Sequence, residues 1–421
     1  MSFMNSVVVG FKNWGRNAKV LVATEPLWSI PMSWIFFYRS IFLREAVILT
    51  EVEIGILSSI YTAIASIFPL LGGYLADKFG RKRVFMILDS LTWLSALTIW
   101  LITRDIVYAL IAYILEGFTS IVYPIWECLL VEDTEPKYRS GIYAYVSTAY
   151  TIGSMTTPIA GYIITIKGVD LGCRILFILA IVSLSAMYIV RWVYLRETEV
   201  GYRLMKEKTL SSFKGYGEVL KAVACERILL ALILLSIINS AYYNSVLYTP
   251  LYLVDSRGVG LTKGEASILP FCSSITSLPL LSIIVPRISS RIGYTRALFA
   301  GYLSGLAATV VLLLSRNTYG VIATGILLGL YSAVGYSISR TFLTNEVESV
   351  DNRYRAKVLS VTSTLSSMIN LATPAAVGYI YSLHPKLFVA TLSGIMFVCL
   401  LISILLGAYT RRLSGRTTVR V

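Results

Sequence analysis

The sequence predicts an all-α integral membrane protein of twelve transmembrane helices in two pseudo-symmetric six-helix bundles. Three observations carry this. Of the 421 residues, 56% are hydrophobic and only 14% charged, against about 25% charged in an ordinary soluble domain, and the mean hydropathy is +0.72. The apolar residues fall in runs of the roughly 20 residues that a helix needs to cross a bilayer. The two halves of the chain also repeat each other.

In chain order the predicted spans are 24–43, 54–76, 84–103, 107–130, 141–166, 172–192, 228–253, 266–286, 297–315, 319–342, 358–382 and 387–410. The one long connection, residues 197–227, separates a first bundle (1–196) from a second bundle with a short basic tail (228–421). With the basic segment 78–83 placed inside, the inner segments hold 27 of the 37 Lys and Arg residues and the outer loops hold 8. Lys and Arg accumulate in cytoplasmic loops, so both termini of this multi-pass cell-membrane protein are expected in the cytoplasm. Residues 1–20 interleave Phe11, Lys12, Trp14, Arg16 and Lys19, so no cleavable leader is expected.

Composition also sets aside several functions. The net charge of +14 lies between apolar runs rather than on a soluble basic face, so nucleic acid is not an expected partner. Cys128, Cys173, Cys225, Cys272 and Cys399 are widely spaced and His384 is the single histidine, which argues against a zinc site, a disulfide frame or a histidine relay. No GxxxxGK[ST] phosphate loop occurs. An enzyme would need a clustered nucleophile, base or metal set, and the spans suggest none, so neither catalysis nor a cofactor is expected.

The repeat is legible in three places. KYRS at 137–140 answers RYRA at 353–356, STAYTIGSMTTPIAGYI at 147–163 answers STLSSMINLATPAAVGYI at 363–380, and DKFGRKR at 77–83 has a faded copy, SRIGYTR, at 290–296. Duplicated halves are how many secondary transporters are built, with the substrate site at the repeat interface. The segment GGYLADKFGRKRV, residues 72–84, resembles the signature between the second and third helices of the major facilitator superfamily. Gly73, Asp77, Lys78, Gly80, Lys82 and Arg83 fill its places, and Arg81 is an added basic residue. With the helix count, the central loop and the repeat, the resemblance covers almost the whole chain.

The resemblance implies a central cavity lined by the first, fourth, seventh and tenth helices. It also implies a gating role for the 73–83 motif, in which Asp77 caps backbone donors near Ala356 and Lys357; pairing with Arg81 alone is the plainer alternative. In the fourth helix Glu116, Ser120, Tyr123 and Glu127 stand at spacings of 4, 3 and 4 and share one face. A carboxylate in mid-membrane costs about 2.5–3.5 kcal/mol on insertion scales and is a functional candidate by default. Glu116 is therefore the first candidate for coupling or cation recognition. Arg39 falls at a similar depth, counting about 1.5 Å per residue, so the two could instead form a structural salt bridge.

Asp89 is expected to pair with the neighbouring basic hinge, and Glu25 to be solvated or capping at the membrane edge. Glu127 and Arg340, near the repeat separation and opposite in charge, are candidates for an inner gate, with local pairing in each half as the alternative. Ser236, Asn239, Ser240, Tyr243, Asn244 and Tyr248 in the seventh span, and Ser332 and Tyr336 in the tenth, are candidate lining residues, because polar side chains in hydrocarbon need partners. The GxxxG pair Gly325 and Gly329 suggests close helix packing. An exporter signature of the fourth helix, an Arg three residues before a Gln-Gly pair, is absent: Tyr113 and Glu116 stand where its Arg and Gln would be. The expectation is a monomeric secondary transporter in the lipid bilayer. It should move a small molecule by alternating access, with H⁺ as the coupling ion and a lean to efflux over uptake; a non-transporting sensor is the remoter alternative.

Overall fold

Proline, glycine and short caps punctuate the apolar runs, and their placement explains most helix boundaries. The computed structural model describes residues 13–206, 226–283, 288, 290–350 and 355–418, which hold helices and connections and no strand. Contacts divide the chain into two units, Met1–Ser211 and Ser212–Val421.

In the first unit α1 (Arg16–Glu45) is followed by α2 (Glu51–Ile67) and α3 (Pro69–Phe79). Proline at the start of α3 cannot continue the preceding hydrogen-bond ladder, and α2 and α3 meet at 47°. Gly80, at φ +91°, then joins α3 to α4 (Arg81–Ile102); that backbone region is open almost only to glycine. The fourth span runs through α5 (Ile106–Phe118), a 3-10 turn at Thr119–Ile121 and α6 (Tyr123–Val131), with Pro124 in the first turn of α6. Pro158 similarly separates α7 (Pro136–Met155) from α8 (Thr157–Lys167). The unit closes with α9 (Val169–Tyr194) and the short α10 (Glu199–Lys206). Here α1 packs on α9 and α7, α4 on α5 and α9, and α2 on α5.

The second unit comprises α11 (Arg227–Ser245), α12 (Thr249–Val254), α13 (Lys263–Ala266), α14 (Ile268–Ile283), α15 (Arg291–Leu314), α16 (Thr318–Leu330), a π segment at Tyr331–Tyr336, α17 (Ser337–Val350), α18 (Arg355–Leu383) and α19 (Pro385–Thr418). Its pairings reproduce those of the first: α11 packs on α19 and α18, α15 on α19, and α14 on α16. The GxxxG pair does bring two helices together. A Cβ on Gly325 would lie 2.7 Å from Cys272 Cβ, and one on Gly329 would lie 2.7 Å from Thr276 Cβ, so α16 sits directly against α14.

By length and apolarity, eight helices among the described residues can cross a membrane, and nine if the bent α2–α3 pair is one span. The predicted spans 141–166, 266–286 and 358–382 fall on α7–α8, α14 and α18. Those helices are short or rich in Ser, Thr, Tyr and Gly, which is why apolarity alone does not single them out.

Candidate functional site

Among the described residues most buried charge lies in the first unit, where three clusters stand out. The first joins Arg39 of α1 to Glu116 of α5. Arg39 Nη1 stands 2.7 Å from each Glu116 oxygen, and Trp100 Nε1 donates to Glu116 Oε2 at 3.2 Å. The Arg39 guanidinium carbon lies 5.3, 5.6 and 4.9 Å from the ring centroids of Phe36, Trp100 and Tyr113. Arg39 is 9% exposed and Glu116 2%. The salt bridge anticipated from matched depth is thus present, wrapped in aromatic rings and balanced one cation to one anion. Ser120, one turn on, has a buried hydroxyl without a partner in the described residues, while the exposed Tyr123 donates to Glu127 at 3.1 Å. The expected common face therefore divides, because the 3-10 turn at Thr119–Ile121 rotates α6 relative to α5.

The second cluster corrects two expectations. Glu25, expected to be solvated or capping, is 3% exposed and accepts from Arg191 Nη2 at 2.8 Å. Arg191 Nε also donates to Thr24 Oγ1 at 2.9 Å. Asp89, expected to pair with the basic hinge, is buried instead against α9, where Arg191 and the Tyr188 hydroxyl act on its carboxyl. The Tyr188 hydroxyl donates to the Asp89 backbone carbonyl at 3.1 Å. The physical reason for both corrections is that Arg191, placed at a helix end by sequence, is 2% exposed and turned into the bundle. A buried guanidinium requires a carboxylate. Tyr150 of α7, which contacts Glu25, extends this cluster. Among the described residues two buried carboxylates thus lie near one arginine, which is ion-paired with Glu25.

The third cluster is the hinge. Arg81, the added basic residue of the motif, is 6% exposed and pairs with Glu132, with Asp77 at 3.8 Å. Thr198 Oγ1 donates to Glu132 Oε2 at 2.8 Å, and Glu197 Oε2 accepts from the Lys82 amide at 2.9 Å. A side chain on Gly80 would meet Glu197 Oε2 at 2.8 Å. Lys78 lies over the Tyr74 and Phe79 rings, while Gly73 and Arg83 are exposed. The side chains of Ala356 and Lys357, the expected capping partners of Asp77, lie outside the described residues, as do those of Tyr336 and Arg340. Sequence reading missed Glu132 and Glu197. The signal available was that Arg81 and Glu132 each begin or end an apolar run.

In the second unit the candidate lining residues sort into two groups. Asn239 Oδ1 accepts from the Tyr331 hydroxyl, and Tyr331 gathers Tyr242, Tyr243 and Tyr302 at ring-centroid distances of 5.4, 6.4 and 5.9 Å. Tyr243, stacked on Tyr331 and 38% exposed, is the open side of this tyrosine cluster. Ser236, Ser240, Asn244 and Ser332 instead donate to backbone carbonyls of their own helical stretch, at Leu232, Ile237, Ser240 and Gly329. That internal bonding is a common way to place hydroxyls and amides in an apolar helix. Tyr248 is fully buried and donates to the Pro374 carbonyl at 3.3 Å.

Known proteins similar to this chain agree with this architecture. A cis,cis-muconate transport protein of Acinetobacter baylyi is 22% identical over 345 residues, covering 79% of this chain and 80% of that protein. A Na⁺, Li⁺, K⁺/H⁺ antiporter of Planococcus maritimus is 25% identical over 271 residues, 58% of this chain; the chain spans 59% of that relative's length. Among solved structures, the nucleoside transporter NupG superposes with a TM-score of 0.68 at 13% identity, over 93% of this chain and 98% of that one. Residues 28–374 match the family profile described as Major Facilitator Superfamily. The chain therefore belongs to the Major Facilitator Superfamily of membrane transporters.

Proposed function

We propose that this transporter is a proton-coupled secondary carrier working by alternating access, which exchanges H⁺ for a small molecule moved outward. The observation that carries the coupling is the 2:1 imbalance of buried carboxylates, Glu25 and Asp89, over the single Arg191. With both acids ionised, a negative charge remains in the bundle; one proton restores neutrality. Asp89 is the acid that takes it. Arg191 is ion-paired with Glu25 and donates to Thr24, whereas Asp89 forms no ion pair among the described residues. The Arg39–Glu116 pair balances one cation with one anion, which favours the structural salt bridge over the coupling role for Glu116.

The tyrosine cluster around Tyr331, with Tyr243 on its open side, supports recognition of a cationic or amphipathic substrate, since ring faces attract cations. Exchange is further supported by similarity to a cation/H⁺ antiporter. The test is purified protein in liposomes with an internal pH dye and an imposed pH gradient, screened over monovalent cations, cationic dyes and dicarboxylates. Substrate-dependent proton movement against the substrate is expected, and proton movement with the substrate would favour uptake. Asp89→Asn should retain substrate counterflow while losing gradient-driven accumulation by tenfold or more. Unchanged pH dependence in that variant would remove Asp89 from the mechanism.

A further inference from the structure

At the end of the first unit where α4 begins, a pocket of about 560 Å³ is lined by Lys82 and Arg83 of α4, Trp192 of α9, and Arg196, Glu197 and Tyr202 beyond it. We propose that this pocket binds the phosphate of an anionic phospholipid from the adjoining leaflet. Three cations face one carboxylate there, and that carboxylate is committed. Glu197 Oε2 accepts from the Lys82 amide at 2.9 Å and Oε1 from the Thr198 amide at 3.1 Å. Lys82, Arg83 and Arg196 have no ion-pair partner among the described residues. The pocket therefore holds unspent positive charge.

A lipid rather than a soluble anion is favoured by the aromatic side chains at the pocket. Trp192 is 55% exposed and Tyr202 58%. Below Trp192, the face of α9 continues outward through Ile189, 67% exposed, and Val182, 62% exposed, an apolar strip suited to an acyl chain. Trp and Tyr concentrate at the headgroup level, and basic pockets between helices on the cytoplasmic side are suited to anionic headgroups. The start of α4 adds a helix N-terminus, whose backbone dipole favours a negative group. The recognition chemistry is thus a phosphodiester monoanion held by Lys82, Arg83 and Arg196, its glycerol against Trp192, and its chains along α9.

The full-length protein, exchanged into mixed vesicles of phosphatidylglycerol and phosphatidylcholine and then released for native mass spectrometry, tests this. Retained lipid should be enriched at least fivefold in phosphatidylglycerol relative to the vesicle. The enrichment should fall to the bulk ratio in Lys82→Gln/Arg196→Gln and persist in Arg196→Lys, each variant first shown to be monodisperse with an unshifted melting temperature. If the double variant unfolds, Arg83→Gln with Trp192→Ala serves in its place and should show the same loss. Retention at the bulk ratio in the wild type, or undiminished enrichment in the folded variant, overturns the proposal. Loss of enrichment in 20-fold excess inorganic phosphate would also overturn it, by assigning the pocket to a soluble anion.

Discussion

Arg39 and Glu116 are packed so tightly among Phe36, Trp100 and Tyr113 that removing either leaves a buried charge without a counter-charge. Such removal costs about 3–5 kcal/mol, whereas replacing both partners with apolar residues of similar volume is often neutral. Arg39→Met and Glu116→Leu alone should each lower the melting temperature strongly, and the double variant should recover most of the loss; thermal unfolding in detergent measures this. Gly80 makes a second residue-scale prediction. Its φ of +91° and the nearby Glu197 oxygen leave no unstrained place for a side chain, so Gly80→Ala should cost about 1–3 kcal/mol, read in the same assay. The Arg39–Glu116 pair was legible from sequence because depth along a helix can be counted at a fixed rise per residue. The Glu25–Arg191–Asp89 cluster was not. It depends on which way three nearly all-apolar helices are rotated, and a helix apolar all round carries no face in its pattern.

Among the elements, the duplication reaches further than the three sequence matches. Thr50 and Glu53 form a capping box at the start of α2, and Thr262 and Glu265 form the same box at the start of α13. Asp105 caps α5 and Asn317 caps α16. These caps were within reach of sequence, since a Thr three residues before a Glu is a known helix-start signal. Thr50→Ala and Thr262→Ala should each cost about 1 kcal/mol, measurable by hydrogen exchange in the first turn of each helix. The loop after α12 carries a pH prediction. Burial works against the Asp255 carboxyl, but bonds from Arg257 and Tyr381 hold it below the ordinary carboxylate value. A folded value below the unfolded one means the stabilisation is complete above the unfolded pKa and lost as pH falls through the folded one. Amides at 257–261 should therefore be protected at pH 7 and lose that protection as the pH is lowered below the ordinary carboxylate range.

At the scale of the whole molecule, each unit folds the same helix pairings around its own core, α1 on α9 in one and α11 on α19 in the other. The distribution of 27 inner and 8 outer basic residues predicts both termini in the cytoplasm, and reporters fused at residues 1 and 421 should both be active there; a reporter active on the outer side of the membrane at either end would reverse the assignment. Membrane class, the duplicated halves and the family were determined by sequence alone, because a bilayer imposes its thickness on every span and excludes charge from it, leaving a periodic record in one dimension. The motif at 72–84 was legible for the same reason: its glycine, acid and basic residues interrupt an apolar background. Only the tertiary structure decided which charges meet. Arg81 turned inward to Glu132, Arg191 turned inward to Glu25, and Lys82, Arg83 and Arg196 were left around an open pocket. Those choices depend on helix rotation and on kinks at Pro69, Pro124 and Pro158, which set direction in three dimensions and leave the linear hydropathy unchanged.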